Sequence, residues 1–401
     1  MAGHARFIPE TARRIADPLF TKELYLSEYH LGQFVEKREQ LLLEVIQGLD
    51  ASSKAALGLI YMRKDNLESP VTLVGSELEA LERFGSTLGA CIAALDALNG
   101  SLVTHLQIDD QNVWRFRHPT IGDAYAGTLA FSPDLLGIFL SGSSTENLIS
   151  QVTCGNVGVE KAVVVPRSLF PAMCARLREF SASDRYKVGW MSSWGARRAL
   201  YLFLASRCSK EFLALYIEQD PDILARVCKP GLSLSVVAEV DLAVRLNGFG
   251  LLPETNRKEF TEAVSSYAIE GRDMHALADP GIRTVFTDNE FDELVECVRT
   301  DLLPKLAEVR ISTQKDHQPE VPPGDHMQDM LESLSALKKH FSDDDNAVKA
   351  IEREMSLVNE WIAETEPPEP KVSPRALGAV EPSEERRGTR SIFDDIADEA
   401  D

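Results

Sequence analysis

Between Ser101 and Arg117 the chain abandons the helical spacing that governs most of it. Trp114 and Phe116 alternate with Arg115 and Arg117, a period of two that gives an extended strand one apolar and one charged face. Ser101–Gln107 supplies a partner strand, with Asp109-Asp110-Gln111-Asn112 as the polar turn between them. Pro119 has no amide hydrogen to continue a ladder, so the second strand stops there. Thr120–Leu129 then returns to apolar residues three and four apart. A lone hairpin is marginal in water and must lean on helices.

The preceding residues supply those helices. Leu41, Leu42, Val45, Ile46 and Leu49 recur at helical spacing. Ala55–Met62 is small and apolar, with Asp50 placed to cap it, and Ser86–Leu98 forms another apolar helix closed by Asn99-Gly100. Helices followed by a hairpin are the order of a winged-helix domain. It is expected at about residues 50–130, after an N-terminal helical segment, 1–49, that includes the amphipathic stretch Leu24–Val35.

Residues 131–310 predict an irregular helical array without a fixed repeat. Leu202–Ile217, Leu234–Leu246 and Phe291–Leu303 are its clearest helices, the last ended by Pro304, and Ala162–Pro166 is a short strand. A linker is expected at 311–325, then a helical hairpin at 326–365. In the hairpin Met327, Met330, Leu331, Leu334, Leu337 and Phe341 form one stripe. Val348, Ile351, Met355, Val358 and Ile362 are spaced three and four apart, so self-association through 326–363 is an alternative use of the same seam. The Pro- and Glu-rich tail, 366–401, is expected to be disordered. It ends on Ile392, Phe393 and Ile396 among acids, which reads as a docking peptide or as a solvated acidic tail. The expected class is mainly α.

Charge bears on partners. The net charge is -21, and residues 311–401 hold 22 acidic against 10 basic side chains, more than half of the imbalance. Such a surface disfavours nucleic-acid backbones. No apolar run approaches the ~20 residues needed to cross a bilayer, and the N-terminus lacks a secretory apolar stretch. Six scattered cysteines without a C-x-x-C pair suggest neither a zinc site nor a redox motif, and a reduced, cytoplasmic chain is expected.

Motifs for catalysis are missing. The chain contains no Gly-Lys dipeptide, hence no ordinary P-loop. Gly155-Asn-Val-Gly158 has no lysine, and neither H-E-x-x-H nor G-x-S-x-G occurs. The eight histidines show no metal spacing. No catalytic residue, metal ligand or intrinsic cofactor is therefore expected, and the chain reads as a non-enzyme. His118 stands apart. At a strand-to-helix corner it can donate to a phosphate oxygen, with Arg115 or Arg117 adding charge, or it can simply cap the following helix.

The run Phe116-Arg-His-Pro-Thr-Ile-Gly-Asp-Ala124 resembles the end of the winged-helix domain in bacterial STAND NTPases of the novel STAND 3 group. That motif is similar to the methionine-histidine-aspartate motif of plant and animal immune receptors, whose histidine senses the nucleotide phosphate. His4-Ala-Arg-Phe-Ile-Pro-Glu-Thr-Ala-Arg13 is similar to the segment after the ATPase core of this group, departing from it at Ala5 and Glu10, and Asp288–Leu294 resembles a helix start in its C-terminal part. The resemblance spans about residues 4–130 and, more weakly, the region to 310. It implies a sensing and relay role in ATP- or ADP-switched assembly, as in bacterial antiviral defence. His118 and Arg6 would be the nucleotide-phosphate contacts, and an ATPase core would be supplied in cis or in trans. It also implies a split system, a start at an internal methionine, or a lost core. Two alternatives remain: a helical protein-interaction scaffold with no nucleotide role, and a winged-helix DNA-binding regulator. The reading helix of the latter, Gly85–Leu98, carries no Lys or Arg and one acid, Asp96.

Overall fold

The computed structural model describes residues 38–187 and 190–366, with residue 16 alone before them. Arg6, the stretch Leu24–Val35 and the tail beyond 366 lie outside the described residues. Helix α1 (Arg38–Gly48) leads into α2 (Ala51–Met62), which is apolar on nearly every side and almost wholly buried. Asp50 caps α2 as predicted: its carboxylate accepts from Ser53 N at 3.0 Å and Ser53 Oγ at 2.6 Å. Those hydrogen bonds hold its pKa below the usual carboxylate range.

Next come β1 (Leu67–Ser69), α3 (Gly75–Arg83), α4 (Leu88–Leu98), β2 (Val103–Ile108), β3 (Gln111–Phe116) and α5 (Pro119–Ala130). The three strands form an antiparallel sheet in the order β1-β3-β2. Helix, strand, two helices and a hairpin whose second strand takes up the early strand is the winged-helix arrangement. Three-residue β1 is too short to show an alternating pattern, so the sequence reading omits it. The turn is also tighter than expected. Asp109 and Asp110 alone make it, at φ 47° and 64°, while Gln111 and Asn112 pair with Ile108 and Gln107. Aspartate tolerates the left-handed region, and a two-residue turn of that hand matches the twist of the strands.

The chain continues through α6 (Pro133–Gly142), α7 (Thr145–Gln151), β4 (Val152–Cys154), β5 (Val163–Val165), α8 (Phe170–Ala182), α9 (Asp184–Lys187), α10 (Trp190–Arg207) and α11 (Lys210–Gln219). Strands β4 and β5 pair in parallel, so the expected strand near 162–166 has a buried partner that the sequence reading missed. The single helix expected over Leu202–Ile217 is two. Cys208 leaves the helix to form an isolated backbone β-bridge beside Cys154, Ser209 N donates to Cys154 O at 2.9 Å, and the Ser209 hydroxyl caps α11.

Helices α12 (Asp222–Val227), α13 (Ala238–Gly248), α14 (Glu254–Ile269), α15 (Pro280–Arg283) and α16 (Asp288–Cys297) complete the array. Pro304 does not end the last helix outright. A π turn, Val298–Leu302, and a 3-10 turn, Leu303–Lys305, carry the chain into α17 (Leu306–Lys315). Hence the connection expected at 311–325 shrinks to 316–322, and the hairpin α18 (Pro323–His340) and α19 (Asp345–Thr365) follows. Met327, Met330, Leu334, Leu337 and Phe341 are buried, as are Ile351 and Val358 of the seam, which packs on α18 within the same chain. Asp344 caps α19 by accepting from Asn346 N and Ala347 N, both at 3.1 Å. Asp344→Ala is expected to destabilise the fold by about 1 kcal/mol, read as a lower thermal midpoint in circular dichroism. One continuous buried core runs from Leu42 to Val358, and no described helix is long and apolar enough to cross a membrane.

Candidate functional site

His118 stands where β3 turns into α5. Its backbone is extended, at φ -149° and ψ 142°, and its ring Nδ1 accepts from Thr120 N at 3.3 Å and lies 3.0 Å from Thr120 Oγ1. Pro119 at the first helical position brings no amide hydrogen and a fixed φ, so the helix starts there without an orphan donor. With Nδ1 accepting, the neutral ring carries its hydrogen on Nε2. The half-buried ring is thus held by one nitrogen and keeps the other as a donor.

The two arginines beside it are occupied. Arg115 Nε donates to Asp65 O at 2.9 Å and pairs with the Asp65 carboxylate at 3.3 Å. Asp65, itself left-handed at φ 63°, also accepts from Phe116 N at 2.5 Å, so it ties the approach to β1 to the end of β3. Burial pushes its pKa up against those bonds. Arg117 donates to Gly100 O and braces the entry to β2. These contacts explain why the strand alternates arginine with aromatic residues: the charges knit the sheet margin. One turn into α5, Asp123 pairs with Lys161 at 2.8 Å on the surface. Arg6, the other residue expected at a nucleotide, lies outside the described residues.

Helix α4 occupies the position of a DNA-reading helix. Its exposed residues are Gly89, Ile92, Ala93, Asp96 and Ala97. That face offers no cation for phosphates and no amide for base edges.

Most of the cysteines are buried. Among the described residues all six are free thiols, and five are buried. Burial pushes Cys174 up to about 12 and Cys208 well above the ordinary thiol range, so neither supplies a thiolate at neutral pH. Among the described residues no three His, Cys, Asp or Glu side chains are grouped to hold a metal. His326 belongs to α18. Its Nε2 lies 2.7 Å from Thr313 O, and its ring meets His317 edge-on, with both rings near Trp361. This ring cluster brings together residues far apart in sequence, which single-chain spacing does not reveal.

Several clefts cut the surface of the described residues. One of about 510 Å³ lies between α7, α8 and α10, and one of about 830 Å³ lies between the end of α14, α17 and α18. A third, of about 530 Å³, lies between α1 and α5, with Phe131 three-quarters exposed at its edge. Comparison with family models, with curated proteins and with solved structures finds no match.

Proposed function

We propose that this chain is the non-catalytic sensing and relay portion of a STAND-type, nucleotide-switched protein of bacterial defence. It carries no P-loop, so a nucleotide-binding core would come from outside residues 1–401. His118 carries the reading: a donor at a strand-to-helix corner, fixed through Nδ1 and without a partner at Nε2 among the described residues. Such a group is pre-organised for a phosphate oxygen, and ATP or ADP would be held only in the assembled complex. The helical array would bind the protein trigger or partner, and any self-association would use the outer faces of the 326–363 hairpin. Six unpaired thiols support a cytoplasmic setting.

A helical scaffold without nucleotide is the second reading. It is favoured by the internal engagement of Arg115 and Arg117 and by the capping role of His118.

Two substitutions separate the readings. His118→Ala removes both cap and ring, whereas His118→Ser keeps a capping oxygen and removes only the ring. Under the relay reading both variants release nucleotide from the assembled complex about tenfold faster or more, while only the alanine variant loses about 1 kcal/mol of stability. Bound nucleotide is quantified by chromatography after denaturing the complex. Unchanged nucleotide content in both variants leaves the scaffold reading standing.

A further inference from the structure

The cleft between the end of α14, α17 and α18 differs from the others in charge. Glu270, Asp301, Glu308, Asp316 and Asp329 line it against Arg272 and Lys305. Arg272 pairs with Glu270, which leaves Lys305 facing four carboxylates. All four are exposed, and among the described residues none of them forms an ion pair. Helix α14, sixteen residues long, ends in the same lining at Ile269, so the negative end of its dipole adds to the field. The floor is apolar: Leu302 and Met330 are buried, and Ile269 and Val309 are half-buried.

A smaller cleft of about 190 Å³ shares Arg272, Asp329 and Ser333 with it, so the two form one groove across α18. The smaller part adds Glu332 and ends at Leu232, which is 49% exposed. Its other ionisable side chains are engaged, Asp273 by the amides of Leu234 and His275, and His275 by Asp279. The acidity of the whole chain does not produce this pattern everywhere. The cleft between α7, α8 and α10 carries one arginine and one glutamate, and the cleft between α1 and α5 carries two acids, of which Asp123 is paired with Lys161.

An apolar floor under an acidic rim selects an occupant that brings aliphatic and cationic side chains together. A linear polyamine meets the rim but offers nothing branched to Leu302 and Met330. A peptide segment with leucine-like residues beside lysines meets both. We propose that this groove docks a basic, amphipathic segment of a partner protein, with its aliphatic side chains on Leu302, Val309 and Met330 and its cations at Asp301, Glu308, Asp316 and Asp329. This docking rests on the partner-binding role of the helical array in the relay reading, and it needs no nucleotide, so its failure and that of the His118 contact are separable.

Fluorescence anisotropy tests it, with the full chain titrated into a labelled peptide of lysine and leucine at amphipathic helical spacing. A dissociation constant in the micromolar range is expected. Asp301→Lys with Glu308→Lys weakens binding about tenfold or more. Ser312→Trp does the same without a change of charge, because Ser312 is an exposed residue of α17 that lines the groove. Glu79→Lys with Asp96→Lys makes the same change in net charge at exposed positions of the winged helix and leaves the affinity within about twofold. No binding by the wild type overturns the proposal, as does wild-type affinity in either groove variant with native circular dichroism. Equal weakening by the winged-helix pair overturns it too, since the effect is then one of net charge. Equal affinity for a peptide with serine in place of leucine, or displacement by micromolar spermidine, overturns the peptide assignment and gives the groove to a small polycation.

Discussion

Arg257→Ala is expected to destabilise the fold by about 3–5 kcal/mol. The Arg257 guanidinium is buried in α14 at 8% exposure and uses every face it has. Its Nη1 reaches Val285 O at 2.8 Å and Glu290 Oε2 at 2.7 Å, its Nη2 reaches Glu290 Oε1 at 2.8 Å and Glu254 Oε1 at 2.7 Å, and its Nε reaches Glu254 Oε2 at 2.8 Å. Glu290 is at the same time the third residue of a capping box with Thr287, so one cation fixes α14, the Val285 carbonyl and the start of α16. Removing it leaves a carboxylate and a carbonyl partly buried without their donor. A lysine cannot reproduce the planar fork, so Arg257→Lys recovers only part of the loss.

The same network predicts an acid limb. Hydrogen bonds from Arg257 hold Glu290 down to about 2 from the ordinary 4.5. Its contribution is complete above the unfolded pKa and fades as pH falls from about 4.5 toward 2, amounting to about 1–2 kcal/mol after allowance for partial exposure. Urea unfolding at neutral pH and near pH 3 measures both effects. An Arg257→Ala midpoint equal to the wild type would remove the network from the stability of this chain.

Phe139→Ala carries the second large effect, about 3–5 kcal/mol. Phe139 is fully buried on α6, with its ring 5.4 Å from Tyr61, which in turn lies 5.5 Å from Tyr125. The three rings join α2 and α5 of the winged helix to the first helix of the array. Burial lifts the Tyr61 phenol to about 12, a sign of how dry the junction is. Phe139→Leu fills most of the space and is expected to lose no more than about 1.5 kcal/mol. A urea midpoint for Phe139→Ala within error of the leucine variant would mean that the site collapses around the gap.

How much of this was legible in the sequence depends on the length scale of each interaction. Local signals are legible: the Asp50 cap, the Trp114–Phe116 alternation, and the Met327–Phe341 stripe each act within a turn or two. Strands β1 and β4 were missed because three residues carry no period, and only their distant partners make them strands. Arg115 and Arg117 were read as free charge, since nothing near them in sequence announces Asp65 or Gly100 as partners. The candidate site shows the same division. The corner and capping options of His118 follow from Pro119 and the period change, whereas the choice of Nδ1 as the capping atom needed three dimensions.

The π turn at Val298–Leu302 has a geometric effect on everything beyond it. An α-helix advances about 100° per residue, and a π turn lodges one residue more in its loop. Upstream the rod faces α14, and downstream α17 faces α19. The bulge thus lies between a stretch that packs on α14 and one that packs on α19. Deleting a single residue there would swing α17 and the hairpin by more than a quarter of a revolution, out of mesh with the array.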